Sequence, residues 1–327
     1  MEQRTLGRTG REVSVIGLGT WQLGADWGEV DEADALAVLD ASAEAGVTLF
    51  DTADVYGDGR SETLIGTWRR ANPGHPLTVA TKMGRRLPQE PGNYTLENFR
   101  AWTDRSRRNL GMETLDLVQL HCPPTAVFHD DAVYDALDTL VDEGAIAAYG
   151  VSVEETAQAL TAIARPGVAT VQIILNAFRL KPLDEVLPAA EEAGVGIIAR
   201  VPLASGLLSG KYTESTTFAA DDHRTYNRSG EAFDVGETFS GVPFEEGVAA
   251  AREFAALVPE GVSPAQAALA WVAQLDGVSS VIPGARDPEQ ARANAAAGRV
   301  PDLGDGVREG VRRIYDERFR PLIHDRW

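Results

Sequence analysis

The sequence predicts an α/β chain folded as a (β/α)8 TIM barrel. Three observations carry that reading. Counted from Val13, eight short apolar runs are each followed by a stretch with apolar residues at helical spacing. The runs are continuously apolar rather than alternating, as in strands covered on both faces. The first strand-to-helix turn, Gly17-Leu18-Gly19-Thr20, lacks the third glycine that an open doubly wound sheet would want there. Eight βα units in 327 residues then occupy 1–327 as one domain.

The elements follow in order. Residues 5–13 read as an N-terminal β-hairpin, with Gly10 supplying the positive φ of its turn. Residues 13–21 read as a strand ending in small residues. A helix over 31–45 closes on Gly46. Strands at 47–51, 77–82, 115–121, 146–151 and 169–176 alternate with helices at 61–70, 96–110, 132–143, 156–164 and 183–193. The seventh strand, 195–201, runs into a long polar loop at 212–243. Helices at 244–257 and 264–275 come next, then a last strand at 279–283 and a helix at 289–297. The 212–243 loop holds His223, Arg224, Tyr226, Phe233 and Phe239, more aromatics than plain disorder carries, and so reads as an ordered lid.

Bulk properties narrow the function. A net charge of −19 argues against nucleic acid, whose phosphates are bound by clustered Lys and Arg. The one cysteine, Cys122, excludes an internal disulfide and a cysteine-rich metal site. No apolar run is long enough to cross a membrane, and the first residues lack the apolar core of a secretory leader. The expectation is a cytoplasmic enzyme or binding protein.

In such a barrel, chemistry sits at the C-terminal ends of the strands. Those ends carry Asp51, Lys82 and His121, and Tyr56 follows Asp51 by five residues. A lysine ending an apolar strand needs an anion, which Asp51 supplies. The charged lysine would stabilise a phenolate and lower the Tyr56 pKa. His121 can donate a hydrogen bond to a carbonyl or relay a proton. The set suits a carbonyl whose oxygen gains a proton as its carbon gains a hydride. A barrel that uses Lys82 as a Schiff-base lysine of an aldolase is the alternative from the residues alone.

The blocks Gly17-Leu18-Gly19-Thr20-Trp21, Asp51 to Gly57, Thr81-Lys82, Leu120-His121-Cys122-Pro123 and Met112 to Leu117 resemble the aldo-keto reductase family, along nearly the whole chain. The resemblance implies NADPH/NADP+ as cofactor and a tetrad of Asp51, Tyr56, Lys82 and His121. Tyr56 would be the general acid in reversible reduction of an aldehyde, ketone or keto-sugar. It further implies cofactor contacts from Gly19, Thr20 and Trp21, and carboxamide contacts from Ser152 and Gln172. Val153 stands where many members have asparagine. Pro202, Leu203, Gly206, Leu208 and Lys211 fall in the segment similar to the pyrophosphate loop. Gly284, Arg286, Gln290 and Asn294 fall in the one similar to the adenosine 2′-phosphate site. Arg200 departs from the family, which often places an aromatic ring before the Pro-Leu pair. A guanidinium there would lie against the nicotinamide and disfavour NADP+ relative to NADPH. Trp21, Trp27, Tyr94 and Phe128 are the substrate-pocket candidates, chosen by position. The aromatic, basic stretch 320–327 either covers the barrel mouth or docks outside it. The partner is a small-molecule carbonyl, with neither nucleic acid nor membrane, and the protein is a monomer or a homo-oligomer. A family member that binds NADPH but turns over slowly, as a regulatory or redox-sensing barrel, is the other alternative.

Overall fold

Two short antiparallel strands, β1 (Gln3–Thr5) and β2 (Glu12–Ser14), open the chain. The computed structural model describes residues 1–24 and 30–327. Eight parallel strands follow: β3 (Leu18–Gly19), β4 (Leu49–Asp51), β5 (Thr78–Met83), β6 (Leu117–His121), β7 (Tyr149–Ser152), β8 (Val168–Ile174), β9 (Gly196–Arg200) and β10 (Val278–Val281). Each pairs with the next in sequence, and bridges Ile16–Val281 and Gly19–Gly284 bring the first strand beside the last. This is the nearly closed barrel that the alternating pattern predicts. Every residue of β5, β6 and β8 is buried, which explains why these strands are largely apolar rather than alternating.

The covering helices are α1 (Glu32–Glu44), α2 (Arg60–Ala71), α3 (Leu96–Leu110), α4 (Asp131–Asp142), α5 (Thr156–Ile163), α6 (Lys181–Asp184), α7 (Val186–Ala193), α8 (His223–Tyr226), α9 (Phe244–Leu257), α10 (Pro264–Ala273), α11 (Pro288–Ala296), α12 (Asp305–Ile314) and α13 (Arg320–Ile323). Caps are local and legible. Thr95 accepts from the Asn98 amide to start α3, and Gly111 ends it in the left-handed region. Among the described residues no helix is long and apolar enough to cross a membrane.

Three sequence expectations shift. The strand expected over 13–21 divides: Val13 and Ser14 belong to the hairpin, and Leu18–Gly19 forms the barrel strand, with Ile16 joined to Val281 by a single bridge. The glycine explains the close pairing with the last strand, since a Cβ on Gly19 would lie 2.9 Å from the Ile282 carbonyl oxygen. The helix expected over 183–193 breaks at Glu185 into α6 and α7. Pro188 has no N–H for the Asp184 carbonyl, and its ring would clash with that carbonyl in a continuous helix. Helix α12 was not foreseen, although Val307, Val311 and Ile314 bury one face at helical spacing.

The hairpin plugs the bottom of the barrel. Leu6 and Val13 pack into an inner core with Leu49, Ala80, Leu117, Ile198 and Ile282. Gly7 sits at φ +48, and a Cβ there would lie 2.1 Å from the Gly196 nitrogen, so no other residue fits without movement. Arg8 donates to the carbonyls of Arg165, Pro166, Val168 and Ala193. With that face closed, the C-terminal strand ends face the open mouth.

Candidate active site

Asp51 ends β4, Lys82 lies one residue from the end of β5, and His121 ends β6. All three are buried. The Lys82 ammonium donates to Asp51 Oδ1 and, at 3.0 Å, to the Thr52 carbonyl. Asp51 Oδ2 accepts from Gln172 Nε2 at 2.7 Å and from Gln119 Nε2 at 3.3 Å. Both oxygens of Asp51 are thus engaged, one of them by the Lys82 ammonium. Burial opposes the lysine charge, but Asp51 and then Tyr56 outweigh it and hold the ammonium above its ordinary pKa.

Tyr56 opens a tight turn, Tyr56–Gly59, after the strand. Gly57 takes φ +57, and a Cβ on it would lie 2.1 Å from the Gly24 carbonyl oxygen. The turn brings the phenol ring back over the strand ends. Lys82 Nζ lies 5.3 Å from its centroid, the His121 ring meets it edge-on at 5.9 Å, and Trp21 stacks on it at 6.1 Å. The tetrad read from the sequence therefore converges. The expected fall in the Tyr56 pKa does not hold for the free protein. Burial raises it, and the opposing effect of Lys82 is smaller. Burial, then Arg85, Lys82 and Arg200, holds the His121 pKa well below its ordinary value. The imidazole is thus neutral near pH 7, and among the described residues its Nδ1 has no hydrogen-bond partner.

A cavity of about 620 Å³ starts at this tetrad. Gly19, Thr20, Trp21, Ser152 and Gln172 line one part of it. Arg200, Pro202, Leu203, Gly206 and Lys211, and Gly284, Arg286 and Gln290, line the rest. Ala204, Ser205 and Gly206 all take positive φ, a run of strained backbone of the kind found at ligand clamps. A cleft lined by Tyr56 and by two cations, Lys211 and Arg286, fits a dinucleotide phosphate. Two cofactor candidates sit behind the wall. Leu208 is wholly buried, and Asn294 donates to the Gly284 carbonyl at 3.0 Å, which braces the turn. Gln290 accepts from the Arg286 amide at 2.8 Å and so fixes that turn as well.

Arg200 lines the cavity, but its charge is matched there. It donates to Glu237 Oε1, to Glu154 Oε2 at 2.9 Å and to the Val153 carbonyl at 3.0 Å. Burial opposes its charge, and Glu237 and then Glu154 more than restore it. The cation expected against the nicotinamide is thus an ion-paired one, because Glu237 arrives from the 212–243 loop and Glu154 from the loop after β7.

The substrate candidates fare unevenly. Trp21 lines the cavity beside Tyr56. Tyr94 instead packs on Phe99 and directs its hydroxyl to the Gly84 carbonyl at 3.4 Å, and Phe128 is wholly buried in the core. An aromatic residue on the right face can point into the layer beneath it, and here both do. Trp27 lies outside the described residues. The lid supplies what position alone missed: His223 and Phe233 meet Trp21 at 5.6 and 5.7 Å. Asn227 Oδ1 accepts from the amides of Ala232 and Phe233, so this part of the lid is held by its own hydrogen bonds. The tail docks on the lid. Arg179 lies 3.9 Å over the Trp327 ring, and Trp327 Nε1 donates to Asp234 Oδ2 at 3.3 Å.

Beneath the Tyr56 turn, Asp54 is buried with no hydrogen-bond partner for its carboxyl oxygens among the described residues. Burial and then Glu62 push its pKa up to about 7, against Arg86 and Arg105. The folded pKa exceeds the unfolded one, so this acid favours folding below its ordinary pKa near 4. That contribution is lost as pH rises through about 7. Asp54→Asn should therefore stabilise the protein at pH 8 by on the order of 2 kcal/mol in urea unfolding, with the gain vanishing near pH 4. An equal effect at both pH values would refute this.

Comparison with known proteins agrees with the geometry. The model of the Aldo/keto reductase family matches residues 15–311. The uncharacterized oxidoreductase Rv2298 of Mycobacterium tuberculosis is 34% identical over 326 residues, covering 97% of this chain and 93% of that protein. The aldo-keto reductase YhdN of Bacillus subtilis is 31% identical over 301 residues, covering 90% and 87%. The solved glycerol dehydrogenase AKR11B4 of Gluconobacter oxydans superposes with a TM-score of 0.78 at 30% identity, over 94% of this chain and 93% of its own. An aldo/keto reductase from Klebsiella pneumoniae, solved with NADP and acetate, shares the fold at a TM-score of 0.69 and 24% identity, over 96% of each chain. With the tetrad assembled at the mouth of the same barrel, the chain belongs to the aldo/keto reductase family and is an oxidoreductase.

Proposed function

We propose that the protein reduces the carbonyl of an aldehyde, ketone or keto-sugar with NADPH, reversibly, and that Tyr56 is the proton donor. One observation carries this reading: a single cavity joins Asp51, Tyr56, Lys82 and His121 to the cations Lys211 and Arg286. The bound dinucleotide would supply the hydride. Lys211 and Arg286 would hold its phosphates, and Ser152 its carboxamide. Gln172 Nε2 donates to Asp51 Oδ2 and, at 3.4 Å, to Gln119 Oε1, so its Oε1 is left to accept from that carboxamide. Neutral His121 donates a hydrogen bond that orients the substrate oxygen. Tyr56 gives its proton to that oxygen as negative charge develops, and the Lys82 ammonium stabilises the phenolate left behind.

The charge state of Lys82 speaks against Schiff-base chemistry. A nucleophilic lysine has to be deprotonated, and this one is held protonated by its contact with Asp51. NADPH consumption with a panel of aldehydes, ketones and keto-sugars tests the reading. It fails if NADPH binds and no carbonyl in the panel drives its oxidation. The cofactor part has its own test. Arg286→Ala should weaken NADPH about tenfold to a hundredfold in a fluorescence titration, the scale of losing a hydrogen bond to a charged group, and leave NADH nearly unaffected. Equal weakening of both would remove Arg286 from the 2′-phosphate site.

A further inference from the structure

We propose that Arg85 makes this site select carbonyl substrates that carry a second, anionic oxyacid group, a carboxylate or a phosphate. The inference rests on the carbonyl-reductase reading and names its substrate class.

Arg85 follows β5 by two residues and lines the cavity on the tetrad side. Its Nε donates to the main-chain carbonyl of His121 at 3.2 Å. The guanidinium is therefore tied to the strand end that presents the imidazole. Gln89 braces the same point, donating to the carbonyls of His121 at 3.2 Å and Cys122 at 2.7 Å.

The other arginines nearby are committed. Arg200 is hydrogen-bonded to Glu154, Glu237 and Val153. Arg179 lies buried against Trp327, away from the lining, and donates to the Glu154 carbonyl. Arg85 differs. It forms an ion pair with Glu154 Oε1 at 3.7 Å, beyond hydrogen-bond distance, while the second oxygen of Glu154 serves Arg200, so Arg85 is held more loosely than they are. The side chain is also partly exposed, whereas Arg200 is nearly covered. A guanidinium presents a planar fork of donors that matches an oxyacid bidentately. Trp21, Val55 and Phe233 line the same cavity and supply apolar surface for the carbon skeleton between the two polar groups. A hydride acceptor held at Tyr56 and His121 could thus place an acid on Arg85.

Matched aldehydes test this: succinic semialdehyde against butanal, and glycolaldehyde phosphate against glycolaldehyde. The wild-type protein should favour at least one acid over its neutral partner by about tenfold or more in kcat/KM, and the favoured arm tells which oxyacid is read. Arg85→Gln should collapse that ratio toward one, mainly through KM, and Arg85→Lys should restore part of it. A ratio near one in the wild type, or a loss in Arg85→Gln that is equal for acid and neutral aldehydes, overturns the proposal. The second result would mean that Arg85 only braces His121. Calorimetric titration of both pairs into the NADPH-loaded Tyr56→Phe protein gives a readout independent of turnover. Equal affinity for acid and neutral partners there refutes Arg85 as the selector. Absence of turnover with all four aldehydes, alongside acid-selective binding, would instead count against the reductase reading.

Discussion

Tyr56→Phe should reduce carbonyls at least about a hundredfold more slowly than the wild-type protein, with NADPH affinity unchanged. General acid loss costs 10²–10⁴-fold, roughly, in positioned sites. The substitution removes one oxygen and keeps the ring that stacks on Trp21 and meets His121 edge-on. Stopped turnover with intact cofactor binding would separate proton donation from packing. Near-normal turnover would overturn the assignment. The pH profile sharpens the test. Burial holds the phenol above its ordinary pKa, so it stays protonated through the neutral range. His121 stays neutral there because burial and the cations around it hold its pKa well down. Reduction catalysed by the wild-type protein should then show no ionisation step from either group near pH 7.

Asp51→Asn should destabilise the fold by about 3–5 kcal/mol, the usual cost of leaving one partner of a buried ion pair behind. Lys82 is 1% exposed, and Asp51 is its one carboxylate contact among the described residues. Urea unfolding at pH 7 measures the loss. Asp51→Asn combined with Lys82→Met should recover part of the stability, because no buried charge is then stranded, while activity stays low in both proteins. The folded pKa of Lys82 lies above its ordinary value. The contribution of the pair is therefore present throughout the neutral range and fades only in strongly alkaline solution. A single variant within about 1 kcal/mol of the wild type would show that Gln119 and Gln172, not the ion pair, hold the strand ends together.

The tetrad was legible because Asp51, Lys82 and His121 each break the apolar rule of their strand, and Tyr56 follows Asp51 in the next turn. A charged residue ending an apolar strand stands out in one dimension, and barrel topology turns successive strand ends into neighbours. Gln119 carried the same signal, a polar residue inside an apolar run, and it does reach Asp51. The pairing of Arg200 was not legible. Glu237 lies 37 residues downstream in a segment with no strand or helix period, and only the folded lid brings the two together. Tyr94 and Phe128 failed for a related reason. Position along the chain gives the face of the barrel, while the direction of a side chain depends on what packs around it. The break at Glu185 was readable from Pro188, and α12 from its three apolar positions.

The hairpin under the barrel has a kinetic consequence. Arg8 bonds to carbonyls 157 to 185 residues away in sequence, and Gly7 needs the backbone of Gly196 already in place. Locally these residues have only the short turn held by Leu6, Thr9 and Arg11 and their two-stranded ladder, which is marginal by itself. The long-range part of the hairpin's stabilisation is therefore available only once the segments around β8 and β9 are in place. Contacts spanning such long loops are among the slowest to close and the least present in a folding nucleus. Closure of the barrel floor by residues 3–14 is therefore expected late in folding.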